Sequence, residues 1–409
     1  MKKPEILSPA GDLEKLKYAV AYGADAVYLA GTAYGMRAAA GNFNACALAE
    51  GIAFAHQKGC KVYITVNTMP HSGELAELPG YLEELSSLAP DALIVADVGV
   101  LRLIKQYAPN IPVHISTQTS ILNYAAANFW YDYGAERIVL ARELSIEEIA
   151  EIRTKTPKNL EIEAFVHGAM CISYSGRCLI SSYLTGRDAN RGACAQPCRW
   201  SYHLLEETRP GEYFPVFEDD GGTYLYNSKD LCMIDHIPEL VQTGVDSFKI
   251  EGRAKTAYYT ASVTSAYRKA VDAYFAHSGG PFTLPRDIRE EVQKVSHRNY
   301  YTGFYFHEPD GQHYEDSHYI RDWDVIAYSK PEQLDGKARF TLKNRFCKGD
   351  TLELMQPDRP LYRFQANTAE DENGKQLDSF CHPEMTICFD FPFEISEYSI
   401  LRREKRAND

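Results

Sequence analysis

One phrase recurs along this chain and limits what it can fold into. GADAVYLA (23–30), APDALIVAD (89–97), GAERIVLAR (134–142) and GVDSFKIEG (244–252) each read as a helix end, a turn and a short apolar strand. The strands are continuous apolar runs rather than alternations, the pattern of parallel strands buried on both faces. Eight are predicted: Glu5–Leu7, Ala26–Ala30, Val62–Val66, Ala92–Ala96, Val113–Ser116, Arg137–Ala141, Ile162–Val166 and Ser247–Ile250. Helices are predicted from the capping Asp12 to Tyr22, near Leu48–Lys58, around Leu75–Leu88 and over Thr256–His277. Eight strand-then-helix units over about 275 residues fit an α/β fold closed as a (β/α)8, TIM-like barrel. An open doubly wound sheet is the alternative, because a strand count does not show closure.

In such barrels chemistry sits at the C-terminal ends of the strands. Ser8, Asn67, Asp97, Thr117, Gln118, Arg142, Glu143, His167, Glu251 and Arg253 fall there. The competing reading makes several of them helix caps or mutual ion pairs.

The barrel is expected over residues 1–280. It carries a long insertion after its seventh strand, about 171–231, with a hairpin around Tyr202–Tyr226 that turns at Asp219-Asp220-Gly221-Gly222. A polar connecting segment rich in His and Tyr follows over 281–323. Residues 324–403 alternate apolar strands with turns (VIAY, ARFTL, DTLELM, LYRFQA, MTICFDF), the pattern of a small all-β, barrel-like C-terminal domain. The tail RREKRAND is expected to fray.

A net charge of -13 excludes a generally basic nucleic-acid binder, so an RNA partner needs a local basic patch. No leader-like apolar run follows Met1, and no apolar stretch is long enough to span a membrane. A cytoplasmic protein without membrane contact is the expectation. In a reducing compartment, clustered cysteines read as metal ligands or catalysts rather than disulfides.

Four of the ten cysteines lie between Glu163 and Trp200: Cys171, Cys178, Cys194 and Cys198; Cys232 follows in NSKDLC. Only the Cys194 and Cys198 pair has the compact spacing of a zinc knuckle. Single thiols converging over a barrel mouth suit an iron–sulfur cluster better, and structural zinc in a non-catalytic binding protein stays open. Pro197 restricts the loop between Cys194 and Cys198, so it either turns both thiols to one metal or sets one aside. Cys46, Cys60, Cys347, Cys381 and Cys388 read as buried small hydrophobes. His167, four residues before Cys171, also allows a thiolate–imidazolium nucleophile, yet no Ser, His and acid set and no HExxH helix is identifiable.

EAFVHGAMCISYSGRCLIS (163–181) resembles the signature of the collagenase-like peptidases of unknown catalytic type, with Glu163, Phe165, His167, Gly168, Cys171, Ser175, Gly176, Cys178 and Ser181 in the expected places. EILSPAGD, NRGACAQPCRW, NSKDLC, FKIEGR and KNRF with KGD are similar to other segments of that family, and the resemblance covers nearly the whole chain. In length and plan the chain looks like the family's tRNA hydroxylation group, which makes 5-hydroxyuridine at the wobble position and depends on prephenate. A sister group hydroxylates a cytidine of ribosomal RNA, and the family label itself implies peptidase activity as an alternative. The resemblance implies a 4Fe-4S cluster on Cys171, Cys178, Cys194 and Cys232, with Cys198 as substitute. It also implies tRNA, through its anticodon region, as partner, and allows a protein partner from the same family. With these implications, His167, Glu163, Arg142 and Glu251 are the catalytic candidates. Asn67, Asp97, Thr117, Gln118, Glu143, Lys249 and Arg253 are candidates for substrate binding, the cations Arg142, Arg253, Lys249 and His167 suiting the dicarboxylate prephenate. Tyrosines of the insertion would stack a splayed base, and Lys343, Arg345 and Lys348 would meet phosphates.

Overall fold

The computed structural model describes residues 2–36, 41–171, 173–174, 176–200, 218–219, 222–223, 229–306, 319–331 and 336–406. Seven strands run side by side in parallel: β1 (Glu5–Pro9), β2 (Ala26–Leu29), β3 (Lys61–Val66), β4 (Ala92–Val95), β5 (Val113–Ile115), β6 (Arg137–Val139) and β7 (Glu161–Ala169). A further strand, β8 (Asp230–Cys232), runs antiparallel to the end of β7. The next, β9 (Ser247–Ile250), pairs in parallel with both β7 and β1 and so closes the barrel. The open sheet is thereby excluded.

Helices follow the strands: α1 (Leu13–Ala21), α2 (Ala45–Gln57), α3 (Leu78–Leu88), α4 (Val98–Tyr107), α5 (Tyr124–Asp132) and α6 (Ile146–Thr154). After them come α7 (Ile180–Thr185) in the insertion, α8 (Ile237–Gln242), the twenty-residue α9 (Ala257–Ala276) and α10 (Arg286–Glu291). Their starts are written in the sequence. Asp12, Asn44, Asp97, Asn123, Ser145 and Thr256 each turn a side-chain oxygen onto the backbone N–H three residues on, satisfying a donor that the helix leaves orphaned. The expected helix at Leu48–Lys58 starts three residues earlier because Asn44 caps it. The one at Leu75–Leu88 divides into a 3-10 turn (Ser72–Glu74) and α3, with Pro79 in the first turn of α3.

The barrel interior is half apolar and half ionic. Leu7, Ala26, Tyr28, Tyr63, Ala92 and Ile94 form one inner cluster. Opposite them Arg137 binds Glu5 (2.6 Å), Glu161 (2.6 Å) and Glu163 (3.0 Å), and Lys249 binds Glu163 (2.7 Å). The guanidinium of Arg137 and the ammonium of Lys249 also lie over the Tyr63 and Tyr28 rings. Each buried charge is therefore paired, which offsets a desolvation cost of several kcal/mol per ion.

The C-terminal domain is an antiparallel sheet. The connecting segment contributes β10 (Tyr300–Tyr301) beside β8. Then come β11 (Trp323–Ser329), β12 (Ala338–Leu342), β13 (Thr351–Met355), β14 (Tyr362–Gln365), β15 (Glu370–Asp371), β16 (Thr386–Phe389) and β17 (Ile400–Glu404), in the spatial order β14-β13-β17-β11-β12-β16-β15. Among the described residues its two edges do not pair, so it is an open sheet rather than a closed barrel. The tail does not fray where it is described. Arg402 is fully buried in β17 and grips Glu291 of α10 (2.5 Å) and Glu353 (3.0 Å), fastening this sheet to the barrel. The hairpin expected around Tyr202–Tyr226 lies largely outside the described residues; within it Glu218–Asp219 pairs with Gly222–Thr223. Cys60 and Cys388 are buried as expected, whereas Cys46 and Cys381 are exposed.

Candidate active site

A cavity of about 130 Å³ opens where the strands end, and its lining answers most of the sequence expectations by position. Asn67 follows β3. Its Nδ2 donates to Ser116 Oγ (3.2 Å) and Gln118 Oε1 (3.0 Å), and its Oδ1 accepts from Met36 N (3.2 Å). Thr117 donates to Leu140 O (3.0 Å). Arg253, after β9, donates to Thr65 Oγ1 (3.3 Å). Together these polar contacts fix one wall of the cavity.

The opposite wall is the cysteine insertion. Cys171, Cys178, Cys194 and Cys198 all line the cavity. Local chemistry holds them there. Gly176 adopts φ +76° against Gln118, and a Cβ at that position would come within 2.5 Å of Gln118 O, so the loop can lie flush only with glycine. Ser181 Oγ donates to Arg187 O (2.7 Å) and accepts from Ala195 N (3.0 Å), tying the start of α7 to the Cys194 loop. Asn190 Nδ2 donates to Cys178 O (3.3 Å).

Arg142 joins the two walls. Its Nη1 donates to Ala169 O (3.1 Å) and its guanidinium lies over the Phe165 ring. Burial alone would lower its pKa. The Cys171 sulfur, within hydrogen-bonding reach, and the Glu251 and Glu143 carboxylates outweigh burial and raise it. Arg142 is therefore a permanent cation beside a thiol, a setting that favours the thiolate needed for metal ligation.

The four cavity thiols make a soft donor set of the kind that holds an iron–sulfur cluster or zinc. Among the described residues, no three His, Cys, Asp or Glu groups stand close enough to clasp a single ion. The donor set fits a cluster in kind, and all four thiols line one cavity.

Several expected residues lie outside this lining. Asp97 caps α4, accepting from Val100 N (2.9 Å). Glu143 is partly buried, and burial raises its pKa against the pull of Arg142. Glu163 belongs to the buried ion network with Arg137 and Lys249. Lys249 reaches the lining, but its ammonium is engaged by Glu163.

His167 is no strand-end residue, because pairing with β8 extends β7 to Ala169. It is buried between Tyr267 and Tyr300, whose hydroxyls lie 3.4 Å from Nδ1 and Nε2. Burial, then the charges of His297 and Lys255, push its pKa down to about 3, so the ring is neutral. Cys232 pairs with His167 across β8 and β7, and burial pushes its thiol up to about 12. Among the described residues no histidine lines the cavity.

Sequence reasoning missed Tyr28, Thr65 and Ser116 in the lining. Tyr28 and Thr65 sit at inward-facing alternate positions of β2 and β3, a signal that the apolar runs conceal.

Two family models match the chain: Peptidase family U32 over residues 11–315, and the Peptidase family U32 C-terminal domain over 321–402. The chain belongs to peptidase family U32. The chain is 39% identical over 410 residues to tRNA hydroxylation protein P1 of Bacillus subtilis (strain 168), covering 99% of this chain and 96% of that protein. The tRNA hydroxylation protein P of Escherichia coli (strain K12) is 38% identical over 98% of this chain and 97% of its own. The 23S rRNA 5-hydroxycytidine C2501 synthase of Escherichia coli (strain K12) is 40% identical over 67% of this chain but only 40% of its own length. Among the described residues, no helix is long and apolar enough to cross a membrane.

Proposed function

We propose that this U32 protein hydroxylates a pyrimidine base of RNA, namely uridine at the wobble position of tRNA, at the cysteine-lined mouth of its barrel. The observation that carries this reading is the cavity itself. Four thiols, two arginines and one carboxylate converge there, in a chain matched end to end by relatives named for tRNA hydroxylation. The relative named for ribosomal RNA matches 67% of this chain and only 40% of its own length, which favours tRNA.

Cys171, Cys178, Cys194 and Cys198 would hold a 4Fe-4S cluster. We take Cys198 rather than Cys232 for the fourth place, a choice supported by its lining the cavity with the other three, while Cys232 pairs with His167 and is not among the lining residues. When bound, the cluster supplies redox chemistry that side chains lack. The chain's own residues do the rest. Arg142 and Arg253 present guanidinium groups to a dicarboxylate such as prephenate, which those groups bind in a bidentate manner. Asn67 and Gln118, already locked to each other, offer amide groups to the edge of a base. Tyr28 and Phe165 close the floor and exclude water.

Nucleoside analysis of tRNA tests the reading. A deletion strain should lose 5-hydroxyuridine and its derivatives, and a plasmid copy should restore them, but not a copy with Cys171→Ser. Unchanged nucleosides in a strain with no second such protein would sink the proposal.

A further inference from the structure

The thiol-lined cavity is too small for a nucleotide to enter whole. It holds about 130 Å³, against roughly 300–1,000 Å³ for pockets that enclose a drug-sized ligand. A base can reach in by its edge, but its stacking partner and its phosphate have to be met at the rim. Of the described lining residues, only Cys171 and Tyr174 are exposed. Tyr174 is the one aromatic side chain in that lining with a large part of its surface in solvent, 49%; Tyr28 and Phe165 are buried below it.

The Tyr174 ring is open while the chain beneath it is fixed. Among the described residues, no other ring or cation packs on it, and its hydroxyl has no hydrogen-bond partner. Its main chain, by contrast, is tied down. Arg177 N donates to Tyr174 O (3.0 Å), which closes a turn between the two. Gly176, in that turn, lies flush on the main chain of Gln118. A ring carried on so fixed a turn loses little freedom when a ligand covers it.

Arg177 stands at the other end of the turn. It is exposed, and among the described residues no carboxylate pairs with its guanidinium. The other described arginines of the insertion are engaged, Arg187 by Ala193 O (3.0 Å) and Arg191 by Glu74. An open ring for a base and a neighbouring guanidinium for a phosphate are the two parts that recognition of single-stranded RNA uses.

We propose that Tyr174 stacks on the base that reacts and that Arg177 binds the phosphate beside it. The assignment rests on the RNA-hydroxylase reading and deepens it, by naming what holds the base at the mouth. Stacking tolerates any base, so selection of the pyrimidine falls to the amides of Asn67 and Gln118. Because Gly176 rests on Gln118, the stacking platform and the group that meets the base edge are fixed to each other.

Fluorescence anisotropy of a labelled anticodon stem–loop, with the full chain purified anaerobically, tests this as a cycle. An abasic residue at the wobble position should weaken wild-type binding roughly tenfold. Tyr174→Ala should weaken binding of the intact loop by a similar factor and lose nothing further on the abasic one. Tyr174→Phe keeps the ring and should follow the wild type. Arg177→Gln should lower the slope of log affinity against log salt by about 0.7, one contact on single-stranded RNA. Tyr133→Ala, exposed at the end of α5 and outside the lining, should leave affinity unchanged. A second measurement needs no variant: irradiation of the wild type with a loop carrying 5-iodouridine at the wobble position should place the adduct on Tyr174, read by mass spectrometry.

Melting and iron content establish that each variant is intact. If the wild type binds no stem–loop, the RNA reading itself falls. If it binds and the two losses simply add, or the adduct forms on another residue, this inference alone falls. A Tyr174→Ala protein that loses iron yet binds both loops as the wild type does would make the ring a cover for the thiols and overturn the proposal.

Discussion

Glu163 is the most instructive residue to remove, because its position gives it a structural weight that its place in a catalytic-looking motif conceals. It is fully buried and accepts from Lys249 Nζ at 2.7 Å and Arg137 Nη1 at 3.0 Å. Glu163→Leu keeps an apolar side chain of similar reach but strips both cations of this partner. Arg137 retains Glu5 and Glu161. Lys249 loses the one carboxylate that holds it among the described residues, leaving an ammonium buried in the barrel floor. Breaking a buried pair in this way costs roughly 3–5 kcal/mol. At about 2.1 cal/mol/K of unfolding entropy per residue over roughly 280 barrel residues, Tm should fall by roughly 5–9 °C. Adding Lys249→Met removes the stranded charge and should recover at least half of that loss, because the penalty belongs to the unpaired ion rather than to the missing bond. Differential scanning calorimetry of the wild type, the single variant and the double variant measures all three. A Glu163→Leu protein melting within about 1–2 °C of the wild type, or a double variant no more stable than the single, would show that a stranded Lys249 ammonium is not what destabilises the barrel.

Stability should also depend on pH through His167. Its folded pKa lies near 3 and an unfolded imidazole titrates near 6.5, so the unfolded chain takes up the proton first. The contribution of His167 is complete above about pH 6.5 and declines as pH falls toward 3; between pH 7 and 5 about 2 kcal/mol should go. Urea denaturation at both pH values should show that difference shrinking in His167→Gln, and an unaltered difference contradicts the assignment. For the cluster, Cys171→Ser and Cys198→Ser should each lower iron per chain after anaerobic purification while Cys232→Ser keeps it; the reverse pattern for the last two exchanges the fourth ligand. Finally, Arg402→Met should loosen the C-terminal sheet by taking from Glu291 the cation that grips it, while Glu353 keeps Lys294 and Arg363. Limited proteolysis should then release residues beyond about 320 faster than in the wild type, and equal rates would show that the pairs contribute little.

The barrel was legible because its signal is local. Most strands are an apolar run behind a helix end, and six of the ten helices named above start on a capping side chain. What escaped was set by partners distant in sequence. His167 looks like the residue after a strand, yet β8, some sixty residues on, pairs with it and buries it. Arg402 and Arg403 look like a solvated tail, and their counter-charges Glu291, Glu353 and Asp350 turn that tail into a buried strand. Thiol spacing left the fourth member of the cysteine set open because spacing carries no direction. The turn at Gly176 and the ties at Ser181 aim the loop, and neither can be read from a count of intervening residues.

The same reasoning narrows what the cavity can do with its charges. Four cations were expected to greet a dicarboxylate, but the fold has already engaged two of them. Lys249 is bound to Glu163 and His167 is neutral. Arg142 reaches the cavity with one nitrogen on Ala169 O and its charge beside Cys171, so it serves the thiol wall as well as an incoming anion. Arg253, anchored by Thr65, is the guanidinium on the opposite wall. On the proposed reading, a dicarboxylate held between Arg142 and Arg253 would span the cavity from the cysteines to the strand ends. Glu251 is the one carboxylate among the described lining residues, and it also lines a second cavity of about 580 Å³ beside the first.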